Sequence, residues 1–200
     1  MAEPKKVSAE TPKLNWKQNI VMYLHDLVYL LMGLMIVFLV MFRLIVVSGD
    51  SMYSTLVDGD YLLLLSNVFY QEPEHGDIIV VSKQNFDDGA PIVKRVIASE
   101  GQIVDIDFQQ GLVYVDGLPL EEDYISSPTT VYEGVNFPVI VEEGCFFVLG
   151  DNRGVSKDSR SPEIGFVDKR EVLGKAIFLL LPGTNHGRNS MEFDRIGVIK

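Results

Sequence analysis

The chain of 200 residues has one cysteine, one tryptophan and three histidines. Cys145 stands alone and cannot form an intrachain disulfide. Its apolar setting, Gly144-Cys145-Phe146-Phe147-Val148, predicts a buried small hydrophobe and not a nucleophile. His25, His75 and His186 lie far apart and form no His-x-x-x-His or Cys/His cluster, so no zinc site is implied and the three read as surface residues. Gly-x-x-x-x-Gly-Lys and Gly-x-Gly-x-x-Gly are both absent, which leaves nucleotide binding without support. Basic charge is scarce beyond the first segment. After Arg43 the next Lys or Arg is Lys83, and residues 48–200 carry 12 basic against 25 acidic side chains, net −13. A surface of that sign does not suit nucleic acid. No metal or organic cofactor is implied.

Hydrophobic sequence is concentrated in one place. Leu27 to Phe42 holds no charged residue, Arg43 interrupts, and Leu44 to Val47 complete the run. As a helix, residues 27–47 would rise about 31 Å, one hydrocarbon core. A cleaved secretory leader has a shorter apolar region and a small-residue cleavage site, which Val46-Val47-Ser48-Gly49 matches poorly. The division expected is therefore a polar tail over 1–26, a retained transmembrane anchor helix over 27–47 and a folded domain over 48–200. Lys5, Lys6, Lys13 and Lys17 precede the span, so the positive-inside rule places the N-terminus in the cytoplasm and residues 48–200 on the outer face.

Beyond the anchor the chain reads as strands. Tyr61 to Leu65, Ile78 to Val81 and Ile92 to Ala98 are short apolar runs, the last two rich in β-branched residues. Residues 102–108 alternate, turn at Gln109-Gln110-Gly111 and return as Leu112 to Val115. Val139 to Val141, Phe146 to Leu149 and Ala176 to Leu181 follow. No long segment of this domain has helical period. The fold class is mainly β: one N-terminal helix, then an all-β barrel or sandwich-like domain in which residues 100–140 form a hairpin-bearing elaboration.

Candidate chemistry rests on three segments. Ser51 follows Gly49, which frees the backbone for a sharp turn, but a lone serine serves equally well as a cap or surface residue. As a nucleophile it needs a base, and histidine is not at hand. Lys94 lies in Pro91-Ile92-Val93-Lys94-Arg95-Val96-Ile97. On a strand it shares a face with Ile92 and Val96, where burial would depress its pKa and make a neutral amine available. Arg95 points the other way and needs a carboxylate if buried. By pattern alone, a Lys-Arg pair on a solvated strand edge is equally compatible. The third segment, Gly150 to Arg160, is a loop dense in Gly, Asn, Asp and Ser.

Taken in order, these segments resemble the motifs of bacterial type I signal peptidases, which are serine proteases with a Ser/Lys dyad. Ser48 to Leu56 resembles the nucleophile motif, Val93 to Gly101 the lysine motif, and Gly150 to Arg160 with Gly165-Phe166-Val167 the Gly-Asp-Asn-Arg motif; Arg195-Ile196-Gly197 also suits the family. One anchor and a short domain look like the compact, Gram-positive-type members. The resemblance implies Ser51 as nucleophile, Lys94 as general base and Ser156 as a hydroxyl that hydrogen-bonds and orients the lysine. It implies Asp158 paired with Arg160, Asp151 paired with Arg95, and the Ser51 backbone N–H as oxyanion donor. Ser54 stands where the family usually has proline, and Gly49 where some members carry an oxyanion-donating serine. The expected partners are signal-peptide-bearing pre-proteins and a lipid bilayer, with no nucleic acid. Self-cleaving repressors share the Ser/Lys chemistry but act on DNA, which the anchor and the charge disfavour. A membrane-anchored non-catalytic binding protein on the same fold is the remaining alternative.

Overall fold

A computed structural model describes residues 16–184 and 192–199, without the side chain of Gln18; His186 lies outside them. The chain divides into two compact units, Met1–Leu39 and Val40–Lys200. In the first, α1 (Trp16–Met41) is a single helix. Its stretch Asn19–Met41 is long and apolar enough to cross a membrane, and none of it is buried against protein. At 1.5 Å per residue that stretch rises about 35 Å.

The helix differs from the expected span of 27–47 at both ends. It starts at Trp16, and Phe42–Val46 is not helix but a strand, β1. β1 pairs antiparallel with β2 (Tyr61–Ser66), from Phe42 opposite Leu65 to Val46 opposite Tyr61. A short apolar run is compatible with either structure, and pairing with an available strand decides it. Arg43 accordingly sits exposed in a strand opposite Leu64, not in the last turn of a helix. The second unit therefore begins at Val40 and not at residue 48.

The remaining strands are β3 (Ile78–Ser82), β4 (Pro91–Ser99), β5 (Ile103–Asp107), β6 (Leu112–Val115), β7 (Leu118–Pro119), β8 (Val139–Ile140), β9 (Cys145–Leu149), β10 (Val167–Asp168), β11 (Val172–Leu181) and β12 (Gly197–Val198). They form two sheets. The larger runs β1-β2-β11-β3-β4-β9-β10, with β12 on β11; the smaller runs β7-β6-β5-β8 and is built from residues 103–140. Every pairing is antiparallel.

The larger sheet buries side chains on both faces. Ile78 and Val80 join Met52, Leu62, Leu64 and Val93 in one cluster, whereas Ile79 and Val81 join Val96, Val148 and Val167 in another. This is why Ile78 to Val81 reads as an unbroken apolar run: neither side is left for water. A third cluster, with Ile97, Phe147 and Leu149 from β4 and β9 and Val104, Ile106 and Val113 from the smaller sheet, joins the two sheets. Cys145 packs against this cluster but is only half-buried, and burial pushes its thiol pKa up.

β11 serves β3 and β2 at once and shifts register between Val172 and Gly174. A side chain at 174 would run into the Leu65 carbonyl of β2. Gly174→Ala should therefore destabilise the protein by about 1–3 kcal/mol, the usual cost of overpacking. Urea unfolding of the full chain in detergent measures it as a lower midpoint.

Candidate active site

Ser51 is delivered by a loop fixed at both flanks. Just after β1, Val47 donates its N–H to the Asp60 carbonyl at 2.8 Å. Gly49 takes φ +81°, and its N–H donates to Asp58 Oδ1 at 2.7 Å. Met52 and Leu56 are buried in the first core cluster, so the loop is packed down on either side of its polar residues.

The loop is then tied to the segment after β9. The Asn152 N–H donates to the Ser51 carbonyl at 3.0 Å, Asn152 Nδ2 to the Asp50 carbonyl at 3.0 Å, and Thr55 Oγ1 to Asp151 Oδ2 at 2.5 Å. Gly150 makes this approach possible, since a Cβ there would overlap both the Ser51 carbonyl and the Ser156 side chain. The Ser51 N–H has no acceptor among the described residues.

Lys94 lies in β4 opposite Ile79 of β3. Ile79, Ile92 and Val96 belong to one apolar cluster, and Lys94 is only 3% exposed. Its Nζ is 2.9 Å from Ser51 Oγ and donates to its neighbour's carbonyl, Val93 O, at 3.0 Å. Burial pushes the pKa down to about 8, against the pull of Asp158, Glu133 and Asp151, which favour the ammonium.

One residue on, Arg95 reaches Asp151. Nε donates to Oδ1 at 2.9 Å and Nη2 to Oδ2 at 2.7 Å, with both side chains buried. Nη1 donates to the Gly76 carbonyl at 2.8 Å, and the Tyr124 ring covers the guanidinium at 4.0 Å. Asp151 thus holds the strand that carries the lysine and, through Thr55, the loop that carries the serine.

Asp158 and Arg160 are likewise fully buried and joined through both carboxylate oxygens, at 2.8 and 2.9 Å. Asp158 Oδ2 also accepts the Gly150 N–H at 3.0 Å, while Arg160 donates to the carbonyls of Arg153 and Ser156. Ser156 is buried, but its hydroxyl donates to the Lys157 carbonyl at 3.4 Å and makes no bond to Lys94. The structure thus brings together Ser51 with Lys94, Arg95 with Asp151, and Asp158 with Arg160. It does not join Ser156 to the lysine, because that hydroxyl packs against Gly150 and turns to the Lys157 carbonyl.

Several supporting residues carry no role in the sequence reading. Arg153 is fully buried between Glu122, at 2.6 Å, and Thr129, at 2.6 Å, and donates to the Gly150 carbonyl at 3.0 Å. Asp60 is fully buried and accepts from Val57 N, Gly183 N and both terminal nitrogens of Arg195. Arg195 and Arg153 stand in quoted motifs, but their partners are distant in sequence and leave no local signature.

A cavity of about 460 Å³ opens on the Ser51–Lys94 pair. Residues 45–48 line one side and residues 90–94 another. β9 pairs with β4 only from Arg95 onward, so residues 91–94 have no strand on that side among the described residues.

A serine hydroxyl bonded to a buried lysine amine, held by an all-β domain, is equipment for a serine hydrolase that works without histidine. The chain matches the family described as signal peptidase, peptidase S26, over residues 20–181, and it belongs to that family. It is 37% identical over 150 residues to a probable signal peptidase I-1 of Synechocystis, covering 71% of this chain and 72% of that one. It is 34% identical to signal peptidase I of Bacillus licheniformis, covering 71% and 78%. It is 33% identical to signal peptidase I T of Bacillus subtilis, covering 71% and 75%. A solved signal peptidase I of Enterococcus faecalis is 32% identical, with a TM-score of 0.43, over 52% of this chain and 96% of that chain.

Truncating Asp151 should leave the Arg95 guanidinium buried without its carboxylate. Asp151→Ala is expected to lower the unfolding free energy by about 3–5 kcal/mol. Chemical denaturation of the full chain in detergent provides the measurement.

Proposed function

We propose that this chain is a membrane-anchored serine endopeptidase that removes the signal peptides of exported pre-proteins through an acyl-enzyme. The observation that carries the reading is the 2.9 Å contact between Ser51 Oγ and the amine of a lysine buried to 3% exposure. Burial and proximity together supply what a serine nucleophile needs: a base within hydrogen-bond reach that is neutral near working pH.

In the proposed reaction, Ser51 Oγ attacks the scissile carbonyl carbon while Lys94 takes its proton. The free Ser51 N–H donates to the developing oxyanion. Lys94 then returns the proton to the departing amine, leaving an ester on Ser51. Water loses a proton to Lys94, attacks that ester, and the proton passes back to Ser51. Arg95–Asp151 and Asp158–Arg160 hold the two loops and take no part in proton transfer. Ser156 is the candidate for orienting the amine. Hydrogen bonds of a catalytic site often tighten only with substrate bound, and turning its hydroxyl away from Lys157 is the rearrangement this role needs.

Substrate placement follows from the cavity. An extended peptide laid between residues 45–48 and 90–94 could pair with the unpaired side of β4 and present a backbone carbonyl to Ser51. Apolar walls at Ile45, Val47, Ile92 and Val93 suit small apolar side chains. The Asn19–Met41 helix is the proposed single-pass anchor. With Lys5, Lys6, Lys13 and Lys17 on its N-terminal side, the N-terminus lies in the cytoplasm and the β domain outside.

Purified protein incubated with a pre-protein, with the new N-terminus identified, tests the reading directly. Ser51→Ala should lose cleavage and keep its fold; turnover equal to wild type would remove Ser51 as the nucleophile, and no cleavage by wild type itself would favour a non-catalytic binding protein. Lys94→Arg should fail as well, because a guanidinium remains protonated at any usable pH and cannot act as base.

The reactive form of Lys94 is the neutral one, so kcat/KM should rise with pH through about 8 and level off above it. Below that point the rate should drop about tenfold per pH unit. A profile that rises only near the ordinary lysine value, about 10.4, would mean that the amine is not desolvated in solution.

A further inference from the structure

One half-buried carboxylate near the site has no part in the chemistry above. Glu133 belongs to the elaboration between β7 and β8, and its side chain is 17% exposed. Its Oε1 lies 3.7 Å from Arg160 Nη2, too long for a hydrogen bond, and its Oε2 is a buried oxygen with no hydrogen-bond partner. The segment around it is fastened to the same arginine. Arg160 Nη1 donates to the Val131 carbonyl at 3.2 Å, and the Val135 N–H donates to the Arg160 carbonyl at 3.0 Å. Arg160 already satisfies Asp158 through both carboxylate oxygens. One guanidinium therefore faces two carboxylates, and the group carries a surplus negative charge when both are ionised.

We propose that Glu133 is a positioning residue that sets the pH range of the Ser51–Lys94 pair, acting through the Arg160–Asp158 ion pair. The inference rests on the peptidase reading given above. The charged groups that bear on Lys94 are Asp158 and Arg160 from the loop after β9, Asp151 with its partner Arg95, and Glu133 from the elaboration. Those that bear on Glu133 are Asp158, Arg160 and Lys157, and Lys157 is itself paired with Glu163 at 2.6 Å. Asp158 and Asp151 favour the ammonium despite their arginine partners, and Arg160 opposes it less than Asp158 favours it. Glu133 adds to them a carboxylate that must share Arg160 with Asp158, and as an anion it favours the protonated, inactive form of the lysine. Burial and the neighbouring Asp158 push the pKa of Glu133 up, so its own ionisation makes this influence dependent on pH.

The sign is fixed. Removing the charge at 133 makes the ammonium easier to deprotonate, so the acidic limb of kcat/KM moves to lower pH. The experiment compares pH profiles of wild type, Glu133→Gln and Glu121→Gln on one pre-protein, using the full chain in detergent. Glu121 is exposed in the same elaboration, and its substitution changes net charge equally where water screens the effect. Glu133→Gln should shift the limb down by about half a pH unit or more, with the plateau rate nearly kept, and Glu121→Gln should not shift it.

A residue that only fills space would lower the plateau and leave the limb where it was, and that result overturns the proposal. So does an equal shift in both variants. If the buried amide is not tolerated, Glu133→Leu leaves no unpaired donor, and the same shift is required of it. An active Ser51→Ala control would strike the peptidase reading itself and not the role of Glu133, so the two failures are distinguishable.

Discussion

The proposed chemistry depends on keeping one lysine amine dry. A solvated lysine is protonated and useless as a base, and only loss of water brings its neutral form into the working range. β4 achieves this by lying inside the larger sheet between β3 and β9, with Ile79 opposite Lys94 and Ile92 and Val96 beside it. The larger sheet is buried on both faces around that point, which is why β3 cannot alternate. The two-sided core is thus a requirement of the proposed chemistry as well as of stability.

A buried amine is of no use unless a hydroxyl is brought to it, and that hydroxyl comes from a loop. Loops are mobile by default. Here the loop is fixed by three polar contacts to the segment after β9 and by Met52 and Leu56 in the core. Asp151 is the common member, since it binds Arg95 on the strand that carries Lys94 and Thr55 on the loop that carries Ser51. Replacing such a pair with apolar side chains is often no worse for stability. What apolar contacts lack is direction, and a two-pronged guanidinium–carboxylate bond fixes the angle between the segments it joins.

The all-β class was legible because strands such as Ile78 to Val81 and Ile92 to Ala98 are β-branched, short and bounded by turn residues. The nature of β1 was not. Phe42 to Val46 continues an apolar helix with only Arg43 to interrupt it, and its pairing with β2, a tertiary fact, separates the two. β10 and β12 are two residues each and too short for any periodic signal. At the site, Ser51 and Lys94 stood out because the rest of the chain offers so little else that could do nucleophilic chemistry. The Asp60–Arg195 bond joins positions 135 residues apart, and Glu133 sits in a stretch with no motif. Charge compensation of this kind is decided by the fold, and each residue taken alone reads as a solvated surface group.

The arrangement of charge around the base has a consequence for the whole domain. Residues 48–200 carry net −13, yet the interior behind the dyad holds three buried arginines, 95, 153 and 160. Each has a carboxylate at hydrogen-bond distance: Asp151, Glu122 and Asp158. A close partner of opposite sign weakens the field of each buried carboxylate, so Asp158 and Asp151 favour the ammonium less than they would alone. Without that weakening an acidic domain would stabilise the ammonium further and oppose the effect of burial. The arginines thus have a second use beyond fastening loops. They keep the interior close enough to neutral for desolvation to decide the protonation of the lysine.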